Sequence, residues 1–202
     1  MSKRLAVPLL LISLAVLALG AISHKYIRLY LSRTTSRSRA PAGQLSPESI
    51  KSLDADSLLA EANRLAWLFN WSKAEPLYSR AEELFRQKGD IRNEVYARVG
   101  RIRARSETMS YLDVSQMIQT EIESPAAKAD PKLMLWCFAQ KGYTDIEINV
   151  ASSKRAWLDA RALAHSLGET QWESRAEGEL GIIAFLEGDS KRAATMVPNI
   201  AR

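Results

Sequence analysis

The sequence is poor in the residue types from which most catalytic and metal sites are built. Its 202 residues include one cysteine, Cys137, and two histidines, His24 and His165. No histidines or cysteines stand at metal-ligand spacing, no Gly-rich loop ends in a lysine, and no serine lies in a nucleophile elbow. We therefore expect no metal, no cofactor and no enzymatic activity.

A single cysteine also excludes an internal disulfide. Cys137 lies inside the apolar run at residues 133–138, and a free cysteine in such a run behaves as a small hydrophobic residue. We predict that Cys137 is buried. The absence of disulfides favours a reducing compartment.

Acidic residues are absent from the first 47 positions, which contain seven lysines and arginines. Residues 48–202 contain the other 21 of the 28 basic residues and all 23 acidic residues, so this part of the chain is slightly acidic. The positive net charge of +5 therefore comes from the first 47 residues. This distribution argues against a nucleic-acid-binding domain, which would carry its positive charge on the folded part.

Charge is also missing from residues 5–22, a run close to the roughly 20 apolar residues that cross a bilayer. It is longer than the apolar core of about 7 to 15 residues in a secretory signal. We predict an uncleaved transmembrane helix within residues 1–31, which contacts the membrane through residues 5–31. A signal peptide cleaved among the small residues at 18–23 is the alternative.

Five lysines and arginines follow this run by position 39, and two precede it. The positive-inside rule therefore predicts a single-pass membrane protein with a cytoplasmic domain. A cleaved signal would instead place the domain in the periplasm or outside the cell. Residues 32–47 are rich in Ser, Arg and Pro and are typical of a flexible basic linker, so we assign the folded domain to residues 48–202.

Apolar and polar residues do not alternate convincingly along the chain, as they would in a half-buried strand. Apolar residues recur at helical spacing instead. Residues 58–69 and 77–85 form two amphipathic stretches separated by a short break near Asn70. So short a connection turns the chain back, and the two helices form an antiparallel hairpin. We predict an all-α fold.

Internal similarity extends this hairpin into a repeat. Three residues recur 79 positions later: Ala81, Leu84 and Gly89 correspond to Ala160, Leu163 and Gly168. This offset is twice about 40 residues, a period typical of helical repeat proteins. We predict four units, the last of them incomplete.

The segment Trp71, Ala74, Tyr78, Ala81 resembles the second half of a tetratricopeptide repeat, and Leu180, Gly181 and Ala193 resemble parts of another. The resemblance implies antiparallel helical hairpins stacked as a short right-handed solenoid. It also implies which residues pack the repeats together: Trp71, Ala74, Tyr78, Ala81, Trp157, Ala160, Leu180, Gly181 and Ala193. Four positions depart from the family pattern, namely Val114, Ile118, Glu121 and Ser153.

Two groups of side chains are candidates for partner binding. Asn63 and Trp67 lie away from the apolar stripe of the first helix, and the resemblance implies that first helices line a concave groove. Arg98, Arg101 and Arg105 form a row that suits an acidic peptide or a terminal carboxylate. Pairing of this row with neighbouring glutamates is the alternative.

These features predict a membrane-anchored protein–protein interaction module that binds a peptide or helix of a partner protein. One alternative is the sensory or regulatory region of a larger signalling enzyme, such as a sensor kinase or a caspase-like peptidase. Another is a secreted periplasmic scaffold. The second helix of the last unit begins near Ser190 and meets Pro198, so we expect further chain, another protein or self-association to cover this unit.

Overall fold

The structure is a computed structural model, and it describes residues 52–196. The predicted anchor at residues 1–31 and the linker at residues 32–47 lie outside the described residues. Within residues 52–196, no helix combines the length and the apolarity that crossing a membrane requires.

The described residues form nine α-helices and contain no strand, which confirms the all-α prediction for this part of the chain. A 3-10 turn at Arg105–Glu107 follows the third helix. The α-helices are α1 Ala55–Trp67, α2 Trp71–Lys88, α3 Ile91–Ala104, α4 Tyr111–Glu123, α5 Pro125–Ala129, α6 Pro131–Asp145, α7 Val150–Leu167, α8 Thr170–Leu186 and α9 Ser190–Met196.

Several helices begin at a side chain that accepts a hydrogen bond from the first turn. The carboxylate of Asp54 accepts from the Ser57 N–H at 2.8 Å, and the hydroxyl of Ser110 accepts from the Asp113 N–H at 3.1 Å. Asp130 caps α6 in the same way, with Pro131 in the first helical position. These caps satisfy backbone donors that a helix start otherwise leaves unpaired.

The sequence repeat corresponds to a repeated local structure. Helices α2 and α7 both contain 18 residues and both end at a glycine in the left-handed region, Gly89 at φ 70° and Gly168 at φ 68°. The following N–H then bonds back to the helix, from Asp90 to Phe85 O at 3.0 Å and from Glu169 to Ala164 O at 2.9 Å. Glycine adopts this conformation without steric cost.

Helices that follow one another pack together along most of the chain: α1 on α2, α2 on α3, α6 on α7, α7 on α8 and α8 on α9. Contacts between more distant elements place α1 beside α3, α3 beside α6, and α4 beside α6. All nine predicted repeat-packing residues are buried.

The four departures from the family pattern are accommodated within the core. Val114 and Ile118 are fully buried. The Glu121 carboxylate lies 3.2 Å from Nη1 of Arg98, and the Ser153 hydroxyl donates to the carbonyl of Gly142 at 2.8 Å. Each polar replacement therefore has a partner, as a buried polar group requires.

Two glycines permit close approach between helices. A Cβ at Gly100 would lie 2.5 Å from Cε1 of Tyr78, and a Cβ at Gly142 would lie 2.5 Å from Nε1 of Trp157. Tyr78 and Trp157 are separated by the same 79 positions as the helices that carry them. Both rings pack where only glycine leaves room.

Candidate functional site

A cleft of about 190 Å³ lies where the helices α1, α3, α6 and α8 and the start of α2 come together. Seven of its twelve lining residues are aromatic, so its walls are mainly apolar. The lining consists of Asn63, Ala66, Trp67, Phe69, Trp71, Tyr96, Trp136, Gln140, Tyr143, Gln171, Trp172 and Arg175.

Ring contacts join α1 and its following turn to α6 and α8. The ring centroids of Trp67 and Trp172 are 5.6 Å apart in an edge-to-face arrangement. Phe69 meets Tyr143 at 6.1 Å, also edge to face. The cleft is consequently narrow, because its opposite sides touch.

Trp136 forms a fixed part of the wall. Its ring stacks on Tyr96 at a centroid distance of 4.7 Å and an interplanar angle of 4°. Its indole N–H donates to the Tyr96 carbonyl oxygen at 3.1 Å. Its edge also meets Trp172 at 6.0 Å, so the wall continues from α3 through α6 to α8.

Arg175 packs against three rings of this cluster. Its guanidinium carbon lies 5.2 Å from the ring centre of Trp67, 4.9 Å from Phe69 and 5.2 Å from Tyr143. Such contacts are favourable when the cation is withdrawn from water. Nε of Arg175 also lies 3.2 Å from Oε1 of Glu179. Burial raises the pKa of the Glu179 carboxyl, and Arg175 opposes this shift.

Gln140 is the cleft residue whose donor and acceptor are both buried and unpaired, whereas Trp71 and Arg175 each have one buried nitrogen without a hydrogen bond among the described residues. The Gln140 side chain is fully buried, and neither Oε1 nor Nε2 has a hydrogen-bond partner within residues 52–196. An unpaired buried amide costs about 1 to 3 kcal/mol. A side chain that destabilises the protein in this way is a candidate for a role other than packing.

Phe69 has an unusual backbone conformation. It is the one non-glycine residue with positive φ in the described part of the chain, at 57°. The turn has the same backbone bonds as the turns at Gly89, Gly168 and Gly188, with the Asn70 N–H bonded to Leu65 O at 2.9 Å. Phenylalanine in this conformation carries steric strain. Phe69 is 56% exposed, and its ring lies beside Arg175.

Both of the predicted groove residues line this cleft. Asn63 Oδ1 accepts a hydrogen bond from the Tyr78 hydroxyl at 2.8 Å, and Trp67 contacts Trp172 and Arg175. No sequence signal marks Gln140, Tyr143 or Arg175 as part of the same site.

The predicted arginine row lies elsewhere, in a cluster that we name the flank network: Glu82, Glu94, Arg98, Arg101 and Glu121. Arg98 pairs with Glu94 at 2.5 Å and with Glu82 and Glu121 at 3.2 Å. Arg101 pairs with Glu82 at 2.6 Å. Outside this network, Arg105 pairs with Glu75 at 3.4 Å.

Electrostatics within the flank network are favourable. Burial opposes the ionisation of Glu82, but Arg101 and Arg98 outweigh it and lower the pKa of this carboxyl. The three arginines of the predicted row therefore already have carboxylate partners within the protein.

A third polar cluster joins α4, α6 and α7. Asp145 accepts a hydrogen bond from the Ser115 hydroxyl at 2.6 Å and pairs with Lys141 at 3.0 Å. Lys141 also donates to the Ser115 hydroxyl at 2.9 Å. The polar groups of this cluster satisfy one another's hydrogen bonds, so we assign it to helix packing.

Other sequence predictions concern metals and the cysteine. No group of three potential ligands that suits a metal ion occurs among residues 52–196. Cys137 is buried as predicted, and burial raises the pKa of its thiol to about 12.

Comparison with known proteins assigns the chain to no family. No protein-family model matches the chain, and no curated protein matches it significantly.

Proposed function

We propose that this protein is a membrane-anchored protein–protein interaction module, whose concave surface holds a segment of a partner protein. The observation that carries the proposal is the shared cleft. Helices α1, α3, α6 and α8 all contribute side chains to it. In the predicted repeats these are the first helices of the four units, which face the groove of a helical solenoid.

A solenoid resembling tetratricopeptide repeats is the architecture that we propose for the described helices. Two findings support it: the equal lengths and glycine ends of α2 and α7, and the burial of all nine predicted packing residues. Stacked units of this kind form extended concave surfaces that bind peptides.

The anchor gives this module its proposed location. The apolar run at residues 5–22 and the five cations that follow it favour a membrane protein with a cytoplasmic domain. Tethering raises the local concentration of a binding domain for partners at the same membrane. Protease digestion of a C-terminal tag in sealed cells and in inverted vesicles tests this orientation. We expect protection in cells and cleavage in vesicles.

A second candidate, the regulatory part of a larger signalling protein, is favoured by the surface of α8. Ile182, Phe185 and Leu186 are 50%, 68% and 55% exposed, and their spacing places them on one side of the helix. Exposed apolar stripes of this kind suit an interface. Self-association through this unit or packing against a further domain would cover it.

The interaction function is tested by photo-crosslinking in cells. Gln171 is exposed and lines the cleft, so a benzophenone amino acid at this position reports on its occupant. Gln116 on α4 is exposed outside the cleft and serves as the matched control. We expect an adduct with one protein, identified by mass spectrometry, from position 171 alone. The same adducts from both positions, or none from position 171, would contradict the proposal.

A further inference from the structure

We propose that the cleft binds one apolar residue of an extended, uncharged peptide segment, and that Gln140 hydrogen-bonds the backbone of that residue. This inference rests on the proposed interaction function and specifies its ligand. Four properties of the cleft lead to it: its size, its unpaired amide, its charge and the occupancy of its ring faces.

Size excludes a helix from the cleft. An α-helix with its side chains is about 10 to 12 Å across, and the edge-to-face contact of the Trp67 and Trp172 rings closes the cleft at one point. A space of about 190 Å³ holds a group the size of one amino-acid residue. An extended segment can place a single side chain there while the rest of the chain continues outside.

The unpaired carboxamide of Gln140 specifies a partner that both donates and accepts. Its nitrogen is a donor and its oxygen an acceptor, and both lack partners within residues 52–196. In an extended chain, the N–H and C=O of one residue point to the same side, as they do in a paired β-strand. One carboxamide is therefore complementary to one residue of an extended backbone, which reaches it when the side chains of the cleft move apart, because both amide atoms are shielded from water in the free protein.

Charge in the cleft favours an uncharged ligand. The cation in the lining is Arg175, whose charge is balanced by the Glu179 carboxylate 3.2 Å from its Nε, although this Nε donates no hydrogen bond among the described residues. A terminal carboxylate would compete with Glu179 for this arginine. The seven aromatic residues of the lining suit an apolar side chain instead.

The ring faces disfavour a nucleobase, which also carries donors and acceptors on a neutral ring. A base binds by stacking on an exposed face. Arg175 covers faces of Trp67, Phe69 and Tyr143, and Tyr96 stacks on Trp136. An irregular aliphatic or aromatic side chain requires no free face.

Phe69 provides a second, independent indication of ligand binding at this place. A strained residue persists only when the surrounding structure favours it, and Phe69 occupies a position that three other turns fill with glycine. Its exposed ring reaches Arg175 and Tyr143 in the cleft lining. We assign it to the mouth of the site, where it would contact the bound segment.

The test uses blocked amino acids, which carry one side chain between two peptide groups. The full chain in mild detergent is titrated with N-acetyl-phenylalanine amide and N-acetyl-leucine amide, and the fluorescence of the cleft tryptophans is recorded. For ligands of this size we expect saturation with a Kd on the order of millimolar. Gln140→Met should weaken binding by about tenfold or more, because the backbone groups lose their partner.

Controls separate this loss from unfolding. Gln116→Met makes the same change on the exposed surface of α4 and should bind as the wild type does. Gln140→Leu provides a second variant of different shape, and circular dichroism must show wild-type helix content in the variants used. Wild-type affinity in a folded Gln140 variant would overturn the proposal, as would absence of saturation with both amides.

Two further probes test the ligand class. Tighter binding of N-acetyl-phenylalanine with a free carboxylate would overturn the proposal that the bound segment is uncharged. Saturable binding of adenosine in place of the amides would overturn the proposal that the ligand is a peptide. If crosslinking from position 171 succeeds while the amides fail to bind, this inference is wrong and the interaction function stands. Failure of both experiments contradicts the interaction function itself.

Discussion

The flank network and the cleft both contain buried polar groups, and the two regions differ in how these groups are paired. In the flank network, Glu82 is buried and has Arg98 and Arg101 as partners at 3.2 Å and 2.6 Å. In the cleft, Gln140 is more deeply buried and its amide has no partner among the described residues.

This difference separates a structural cluster from a candidate binding site. Paired buried charges hold helices in register, and losing one partner is costly because the other is left behind. An unpaired buried amide lowers stability, so the folded protein gains nothing from it unless a ligand completes the hydrogen bonds. By this criterion, we propose the cleft as the functional surface and assign the arginine row to the scaffold.

The largest expected effect is on the flank network. Glu82→Gln should reduce the free energy of unfolding by about 3 kcal/mol, because Arg98 and Arg101 lose a buried carboxylate. Urea denaturation of the full chain measures this change. Glu83→Gln alters the neighbouring exposed residue and should change stability by less than about 0.5 kcal/mol. Equal effects of the two substitutions would refute a structural role for the network.

A second prediction concerns the layer behind the cleft. Gly142→Ala should reduce stability by about 2 kcal/mol, because the added methyl group overlaps Trp157 at a Cβ to Nε1 distance of 2.5 Å. Trp157 contacts Tyr143 of the cleft lining at 4.7 Å, so binding of the blocked amides should weaken as well. Unchanged unfolding would show that Trp157 moves away freely.

The third prediction is an increase in the free energy of unfolding. Gln140→Met should increase the free energy of unfolding by about 1 kcal/mol, because it removes an unpaired buried amide and keeps a side chain of similar length. Gln116→Met should be neutral within about 0.5 kcal/mol. Loss of stability in Gln140→Met, seen in urea denaturation, would mean that the amide does have a partner in the free protein.

The smallest effect is a difference in pH dependence. The pKa of Glu82 is lowered in the folded state, so its contribution to stability is complete above the ordinary glutamate pKa and is lost as pH falls through the folded value. The pKa of Glu179 is raised, so the folded state binds a proton more tightly, and this group adds stability as pH falls.

Unfolding between about pH 7 and about pH 4 separates these two groups. As pH falls, the advantage of the wild type over Glu82→Gln should shrink, whereas its stability relative to Glu179→Gln should rise. Parallel curves for the two variants would contradict the assigned directions of the shifts.

Much of the fold was predictable because it depends on local signals. The period of apolar residues indicated helices, and Gly89 and Gly168 marked helix ends where a left-handed residue is required. The offset of 79 positions between Tyr78 and Trp157 likewise corresponds to two equivalent helices. Such signals are present within a few neighbouring residues and need no knowledge of distant contacts.

The cleft was only partly predictable, because contacts between distant helices create it. Asn63 and Trp67 were predicted from their position on one helix and a family resemblance, and they do line the cleft. Nothing near Arg175 in the sequence shows that it meets Trp67, which is 108 positions away. Gln140 lies in an apolar helix, a signal for a buried polar group, but its missing partner is visible only in the structure.

The most direct test of the cleft as the binding surface is to observe the five tryptophan indole N–H signals by NMR during titration with N-acetyl-phenylalanine amide. Signals are assigned by single Trp→Phe variants of the full chain. Trp67, Trp71, Trp136 and Trp172 line the cleft, whereas Trp157 is fully buried outside its lining. We predict saturable shifts for these four and little change for Trp157. Shifts of equal size in all of them, or none in the cleft tryptophans, would contradict the assignment of this cleft as the binding site.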